Sequence, residues 1–228
     1  MFVNNPDGAG YMYYDKTHKC VVIQKGFMYY EDLISSLKSK KLDDVNVILH
    51  FRIGTSGLMD DLNCHPYPVY QKNARRCKTD LGVAHNGILH DYTPTKSSLI
   101  NDTQVFIQKV LSNLKKGFQY DTDKLLLINE LIGTNKLAFL DDKNKVTIIG
   151  NFIQDGDYFY SNTSYKSRVY YTHNSVSKPK KSVSKAKDST SKMWYKTHES
   201  VQKVESIFKD DDEETNDFWK WYDSKYLY

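Results

Sequence analysis

Apolar and polar positions alternate with turn residues from residue 10 to residue 165, and the pattern predicts both strands and helices. Aromatic and β-branched residues at 10–14 and 20–23 flank a short polar segment, which is typical of a β-hairpin. Residues 136–140 and 146–149 flank a second polar segment in the same way. The body of the chain is therefore predicted to be a mixed structure that contains two hairpins.

Two short apolar runs predict buried strands. Residues 45–51 (VNVILHF) and 81–85 (LGVAH) are nearly continuous in apolar side chains, as strands covered on both faces are. Each run leads directly into polar residues, so each strand is expected to deliver polar side chains at its end. Residues 151–165 form a further stretch, which is aromatic and predicted to be extended.

Helical spacing occurs in three segments of the body. Residues 30–37 and 123–132 are predicted helices, and a helix between them starts at Asn101 or Asp102, since both residue types are good N-caps. The apolar residues of this middle helix follow the i, i+3, i+4, i+7 spacing: Ile107, Val110, Leu111 and Leu114.

Length and composition indicate one globular body followed by a different tail. The chain has 228 residues, of which 39% are hydrophobic and 26% are charged, and these are values of a folded protein. Residues 1–171 form the predicted domain. Serine and lysine dominate residues 172–192, which are too polar to pack a core and are predicted to be a flexible basic linker. Residues 193–228 combine helical spacing with an acidic run and tryptophans, which predicts a short helical tail able to engage a protein partner.

Several classes of protein are excluded by simple counts. No apolar run approaches the ~20 residues that span a bilayer, so no membrane association is expected. A net charge of +4 is too small to indicate nucleic acid binding. The cysteines Cys20, Cys64 and Cys77 are too few for a disulfide framework and favour a reducing cytoplasm. Cys64 and His65 lack the spacings of a zinc site, so neither a metal nor another cofactor is predicted.

Polar residues at the ends of the predicted strands and helix could form a binding site. Arg52 follows the first apolar run and could hold a carboxylate through two hydrogen bonds, or could form a surface ion pair. Asn86 and Gly87 follow the second run and could be the donors of an oxyanion hole, or an ordinary hairpin turn. Asp102 could cap its helix or receive an ammonium group.

Five short motifs occur in order along residues 1–165. They are NPDGAG (5–10), HFRIGTSG (50–57), HPY (65–67), AHNG (84–87) and NDTQ (101–104). Together they resemble the class II glutamine amidotransferases, in particular the short stand-alone type common in bacterial viruses and Gram-positive bacteria. The resemblance implies an α+β fold of the N-terminal-nucleophile hydrolase type, which is an α/β/β/α four-layer sandwich. It also makes Thr55 and Gly57 substrate-binding residues.

The resemblance further implies that the chain acts on the side-chain amide of glutamine, or binds it. In the family pattern Arg52 holds the α-carboxylate of the substrate, and Asp102 receives the α-ammonium. Asn86 and Gly87 form the oxyanion hole. The opposite charges of Arg52 and Asp102 agree with this assignment, because a free amino acid carries one fixed charge of each sign.

The family nucleophile is an N-terminal cysteine whose own α-amino group is the general base. The chain given begins at Met1, and its cysteines are internal, so we expect it not to hydrolyse glutamine unless the nucleophile lies upstream. The alternative is an inactive member that serves as a ligand-binding or protein-interaction module, and a structural component of a virus particle is a third hypothesis. In each case the cytoplasm is the expected location, that of the host if the protein is viral.

Overall fold

The computed structural model describes residues 5–54, 60–95 and 97–166. The predicted linker at 172–192, the predicted tail at 193–228, and Thr55 and Gly57 lie outside these ranges. The strands of the described residues are β1 Ala9–Asp15, β2 Cys20–Phe27, β3 Val47–Phe51, β4 Tyr67–Pro68, β5 Arg76–Thr79, β6 Leu81–Asn86, β7 Lys136–Asp141, β8 Val146–Ile149, β9 Ile153–Asp155 and β10 Tyr158–Tyr160. The α-helices are α1 Tyr30–Lys38, α2 Asp102–Lys109 and α3 Thr122–Ile132.

Two antiparallel four-stranded sheets form the centre of the fold. The first has the strand order β3-β1-β2-β5, and the second has the order β4-β6-β7-β8. Both predicted hairpins are confirmed, as β1 with β2 and β7 with β8. Aspartates organise their turns: Asp15 accepts hydrogen bonds from the amides of Thr17 and His18, and Asp141 accepts from those of Lys143 and Lys145.

Within the described residues, the apolar core has three parts, and each is formed by strands or by strands together with helices. Met12 and Ile23 of the first sheet pack between the sheets against Leu140 of the second. Leu33 of α1 packs on the other face of the first sheet. The second sheet is covered by residues of α2, α3 and the connecting turns, among them Phe106, Leu111, Ile128 and Ile132. The predicted α+β class is confirmed.

The prediction of two buried strands is right for β6 and wrong for β3. Residues Leu81–His85 are buried, because β6 lies between β4 and β7. Strand β3 is an edge strand, and Val47 and Leu49 are 38% and 41% exposed. Ile48 alternates with them and faces the core between the sheets. On the face of Val47 and Leu49, the partly buried Phe51 at the end of the strand packs against the core. A continuous apolar run therefore marks here a strand with one face largely exposed.

The middle helix begins as predicted but ends early. Asn101 is the N-cap, since its side chain accepts a hydrogen bond from the Gln104 amide. The α-helix stops at Lys109, where Val110 leaves helical geometry (φ −122°, ψ −68°), and Leu111–Asn113 form a 3₁₀ turn. The apolar positions stay buried despite the break. Among the described helices, none has both the length and the apolar character needed to cross a membrane.

Candidate functional site

The ends of β3 and β6 are joined by a hydrogen bond between the two sheets. His50 Nε2 lies 3.0 Å from the backbone oxygen of His85, which can only accept, so the His50 ring donates. Arg52 follows His50 by two residues, and Asn86 is the last residue of β6. The sheets thus bring the two predicted polar ends to the same region.

Arg52 is buried and is braced by the segment that precedes β1. Its amide donates to the Gly8 oxygen at 2.8 Å, and its own oxygen accepts from the Asp7 amide at 3.2 Å. The Asp7 carboxylate also accepts from the amide of Gly54 at 2.8 Å. A side chain at Gly54 would begin 3.3 Å from the Arg52 guanidinium, so this glycine leaves room for the guanidinium. Residues 7–8 therefore fix the backbone on both sides of Arg52.

Gly87 occupies a position that tolerates no side chain. Its φ is +131°, and a Cβ atom there would overlap Oδ1 of Asn135. Asn135 Oδ1 accepts a hydrogen bond from His85 Nε2 at 3.1 Å, while its amide nitrogen donates to the Ile132 oxygen. The turn after β6 therefore packs against a carboxamide whose position is fixed. The sequence pattern did not predict that Asn135 belongs to this region.

We expect Gly87→Ala to destabilise the protein by about 1–3 kcal/mol, because the new methyl group collides with Asn135 in a backbone conformation that alanine disfavours. Chemical denaturation measures the change. Gly156→Ala is the matched control, since Gly156 also has a positive φ (+60°) but has no atom within 4 Å of an added Cβ. Equal losses of stability in the two variants would contradict the proposed collision.

Asp102 connects the first turn of α2 to the loop that follows Gly87. Its Oδ2 accepts from the Leu89 amide at 2.8 Å, and its Oδ1 accepts from the Thr103 amide at 2.9 Å. It is not the helix cap. Burial raises the pKa of Tyr67, and the charges of Arg52 and Asp102 act on this phenol with opposite signs. Asn101, the residue before Asp102, donates to the Tyr67 hydroxyl at 2.7 Å, so the start of α2 lies against Tyr67.

Three neutral histidines, which we call the histidine stack, fill the space between the strand ends. The ring of His65 lies 4.3 Å from that of His50 and 6.0 Å from that of His85. His65 Nδ1 accepts from the His85 amide, and His85 Nδ1 lies 2.7 Å from the Thr103 hydroxyl. Burial lowers the pKa of all three, that of His50 to about 4. The stack is thus uncharged at neutral pH.

Cys64 is buried against the turn before β1, where its Sγ lies 4.0 Å from the Asp7 backbone oxygen. A Cβ atom at Gly8 would lie 2.5 Å from its Sγ, so the glycine gives the thiol its space. Burial raises the pKa of Cys64, and it also raises those of Cys20 and Cys77. All three are free thiols whose surroundings favour the protonated form. In the described part of the chain, no cluster of three or more histidine, cysteine or acidic side chains could hold a metal ion.

A separate groove of about 480 Å³ lies along α2, on a surface that the sequence did not predict. Tyr67, Asn73, Gln104 and Ile107 are among the residues that line it. Tyr67 connects the groove with the site above, because it lines the groove and its hydroxyl accepts a hydrogen bond from Asn101. Of the predicted site residues that the structure describes, Arg52, Asn86, Gly87 and Asp102, none lines this groove.

Comparison with known proteins gives the family of the chain. A model of the class II glutamine amidotransferases matches residues 3–224, a span that includes the predicted linker and most of the predicted tail, whose boundaries stay a prediction. The glutamine–fructose-6-phosphate aminotransferase (isomerizing) of Thermococcus kodakarensis is 25% identical over 140 residues. The aligned part is 57% of this chain and 22% of that relative.

The stand-alone viral or Gram-positive type stays a prediction, as does the cytoplasmic location. The family inferred from the five motifs is confirmed, because the matching model covers nearly the whole chain. The protein belongs to the class II glutamine amidotransferases.

Proposed function

We propose that the protein binds free glutamine at the joined ends of β3 and β6 and presents its side-chain amide for hydrolysis to glutamate and ammonia. The observation that carries the proposal is that two buried residues of opposite charge, Arg52 and Asp102, flank one chain of hydrogen bonds. His50, two residues before Arg52, donates to the His85 oxygen, and the His85 ring lies 2.7 Å from the hydroxyl of Thr103, the residue after Asp102. A free amino acid has a carboxylate and an ammonium on one carbon, so a selective site needs one partner for each.

Arg52 is suited to the α-carboxylate. A guanidinium offers donors in a planar fork that matches the two oxygens of a carboxylate. Only 4% of this residue is exposed, so its interaction with a ligand is weakly screened by water. The bracing by Asp7 and Gly8 fixes the backbone that carries it.

Asp102 is suited to the α-ammonium while it holds the loop after Gly87. A carboxylate has about four acceptor sites, so it can accept the amides of Leu89 and Thr103 together with an ammonium. The same contacts place the Asn86-Gly87 turn relative to Asp102. The Asn86 carboxamide and the Gly87 amide would then donate to the amide oxygen of glutamine as it gains negative charge.

Hydrolysis by the family route also needs a thiol and a base. A sulfur attacks the amide carbon, ammonia leaves, and water releases glutamate from the thioester. The raised pKa values of Cys20, Cys64 and Cys77 favour the prediction that none of them is this sulfur. We therefore assign binding and oxyanion stabilisation to the residues described, and the same binding role would remain in an inactive member.

The name of the relative describes transfer of an amino group to fructose 6-phosphate. This chain aligns with 22% of that protein, so we propose only the glutamine-binding part for it. The proposal includes the four-layer sandwich of the family, which is supported by α1 on the first sheet and α2 and α3 on the second.

Calorimetric titration with three ligands tests the proposal. We expect L-glutamine to bind about 10- to 100-fold more tightly than glutaramate, which lacks the ammonium, or 4-aminobutanamide, which lacks the carboxylate. The reason is that L-glutamine interacts with both buried charges, whereas each analogue interacts with only one of them. Equal binding of all three, or failure of L-glutamine to bind, would refute the assignment of Arg52 and Asp102.

A further inference from the structure

Lys25 on β2 is a buried cation that no motif explains. Only 4% of it is exposed, whereas lysines are rarely buried unless they are paired. Its Nζ atom has no hydrogen-bond partner within residues 5–54, 60–95 and 97–166. A buried amine of this kind needs an acceptor from elsewhere to compensate for the water it has lost.

The strand directs this side chain into the layer between the sheets. Val21, Ile23 and Lys25 alternate along β2 and share one face, and the first two belong to the core between the sheets. Nζ lies 3.8 Å from the centre of the Tyr67 ring, which belongs to β4 of the second sheet. Opposite Lys25 on β1 is Gly10, where a Cβ atom would lie 2.5 Å from Lys25 Cβ.

Lys25 belongs to the same neighbourhood as the proposed glutamine site. Its Nζ lies 3.8 Å from the centre of the Tyr67 ring, which is itself 4.8 Å from the ring of His65. His65 stacks at 4.3 Å on His50, two residues before Arg52. Lys25 and Arg52 thus approach one cluster of rings, from β2 and from the end of β3.

Near neutral pH, the surroundings of Lys25 allow both the charged and the neutral form of its amine. Burial lowers its pKa to about 7, against the weaker opposing effect of nearby groups. The titratable and charged groups that face it from the elements around it are Cys64, Cys77, Asp60, Asp61, His65 and Tyr67. An anion placed beside Nζ would favour the protonated form and raise the pKa.

We propose that Lys25 is a second cationic contact for a carboxylate of the bound ligand, beside Arg52. This inference rests on the proposed function and adds a binding residue to its site. The carboxylate supplies the acceptor that the buried Nζ lacks, and the Tyr67 ring supports the cation from its other side. At a pH above neutral, binding of the ligand is then accompanied by protonation of Lys25.

Nuclear magnetic resonance of protein labelled at the lysine ε-carbon tests this directly. The Lys25 signal is titrated with pH in the free protein, with saturating L-glutamine, and with glutarate as a simple carboxylate probe. We expect the pKa of Lys25 to rise by at least one unit with a bound carboxylate. Lys25→Met should weaken L-glutamine binding at least tenfold, and Lys78→Met, an exposed lysine on the adjacent strand β5, should leave it unchanged.

The outcomes separate this inference from the function on which it rests. If L-glutamine binds and depends on Arg52 while the Lys25 titration does not move, the role of Lys25 is wrong and the proposed function stands. If only glutarate raises the Lys25 pKa, Lys25 binds carboxylates but the site is not for glutamine. If neither ligand moves the titration or binds, both proposals fail.

Discussion

Arg52→Met is expected to weaken the binding of L-glutamine by roughly 30-fold to several thousand-fold. Removing one partner of a buried, hydrogen-bonded charge pair costs about 2–5 kcal/mol, because the other charge stays buried without compensation. Methionine keeps the apolar stem of the arginine and removes the guanidinium that lies beside Gly54. Isothermal titration calorimetry measures the affinity, and thermal unfolding shows whether the variant is folded.

Arg76→Met is the control for this experiment. Arg76 is exposed on β5 of the same sheet, and it has no assigned part in the site. A folded Arg52→Met protein that binds L-glutamine within threefold of the unsubstituted protein would contradict the role of Arg52.

Acid is expected to destabilise the protein between pH 6.5 and pH 4, through the histidine stack. The folded-state pKa of His50 is lowered from its ordinary value of 6.5 to about 4, so in this range the unfolded chain binds a proton that the folded chain does not. Stability is therefore complete above pH 6.5 and falls as the pH decreases. His50 alone contributes a loss of roughly 3 kcal/mol, at about 1.4 kcal/mol for each pH unit. The lowered pKa values of His65 and His85 add to the loss in the same direction.

Urea denaturation at a series of pH values measures this slope. His50→Gln should reduce it, because glutamine can still donate to the His85 oxygen but does not titrate. His90→Gln, at an exposed histidine, should have the slope of the unsubstituted protein. A stability that is constant from pH 6.5 to pH 4.5 would show that the buried histidines are not kept neutral.

The sequence alone predicts which polar residues lie at the ends of strands and helices, but it does not predict the contacts that fix their positions. Arg52 follows β3, Asn86 is the last residue of β6 and Asp102 begins α2, so local pattern alone located these three at the ends of elements. Local pattern left open whether Asn101 or Asp102 is the cap, because both side chains can accept the same amide. The structure resolves the choice through the Leu89 amide, which Asp102 accepts from a different element.

Contacts between distant parts of the chain could not be read from local pattern. Asp7 and Gly54 are 47 residues apart, and His85 and Asn135 are 50 apart. Strand order also decides which faces of a strand are covered, so the apolar pattern of residues 45–51 does not distinguish the edge strand β3 from a buried one. The sequence did contain a signal for the burial of Lys25, because this residue continues the two-residue spacing of Val21 and Ile23.

A crystal structure of the protein with L-glutamine tests the glutamine site most directly. We predict that the α-carboxylate lies about 2.7–3.2 Å from the Arg52 guanidinium and the α-ammonium equally close to the Asp102 carboxylate. The side-chain amide oxygen should point towards Asn86 and Gly87. Glutamine bound in the groove along α2, or elsewhere without contact to Arg52 and Asp102, would contradict the assigned site.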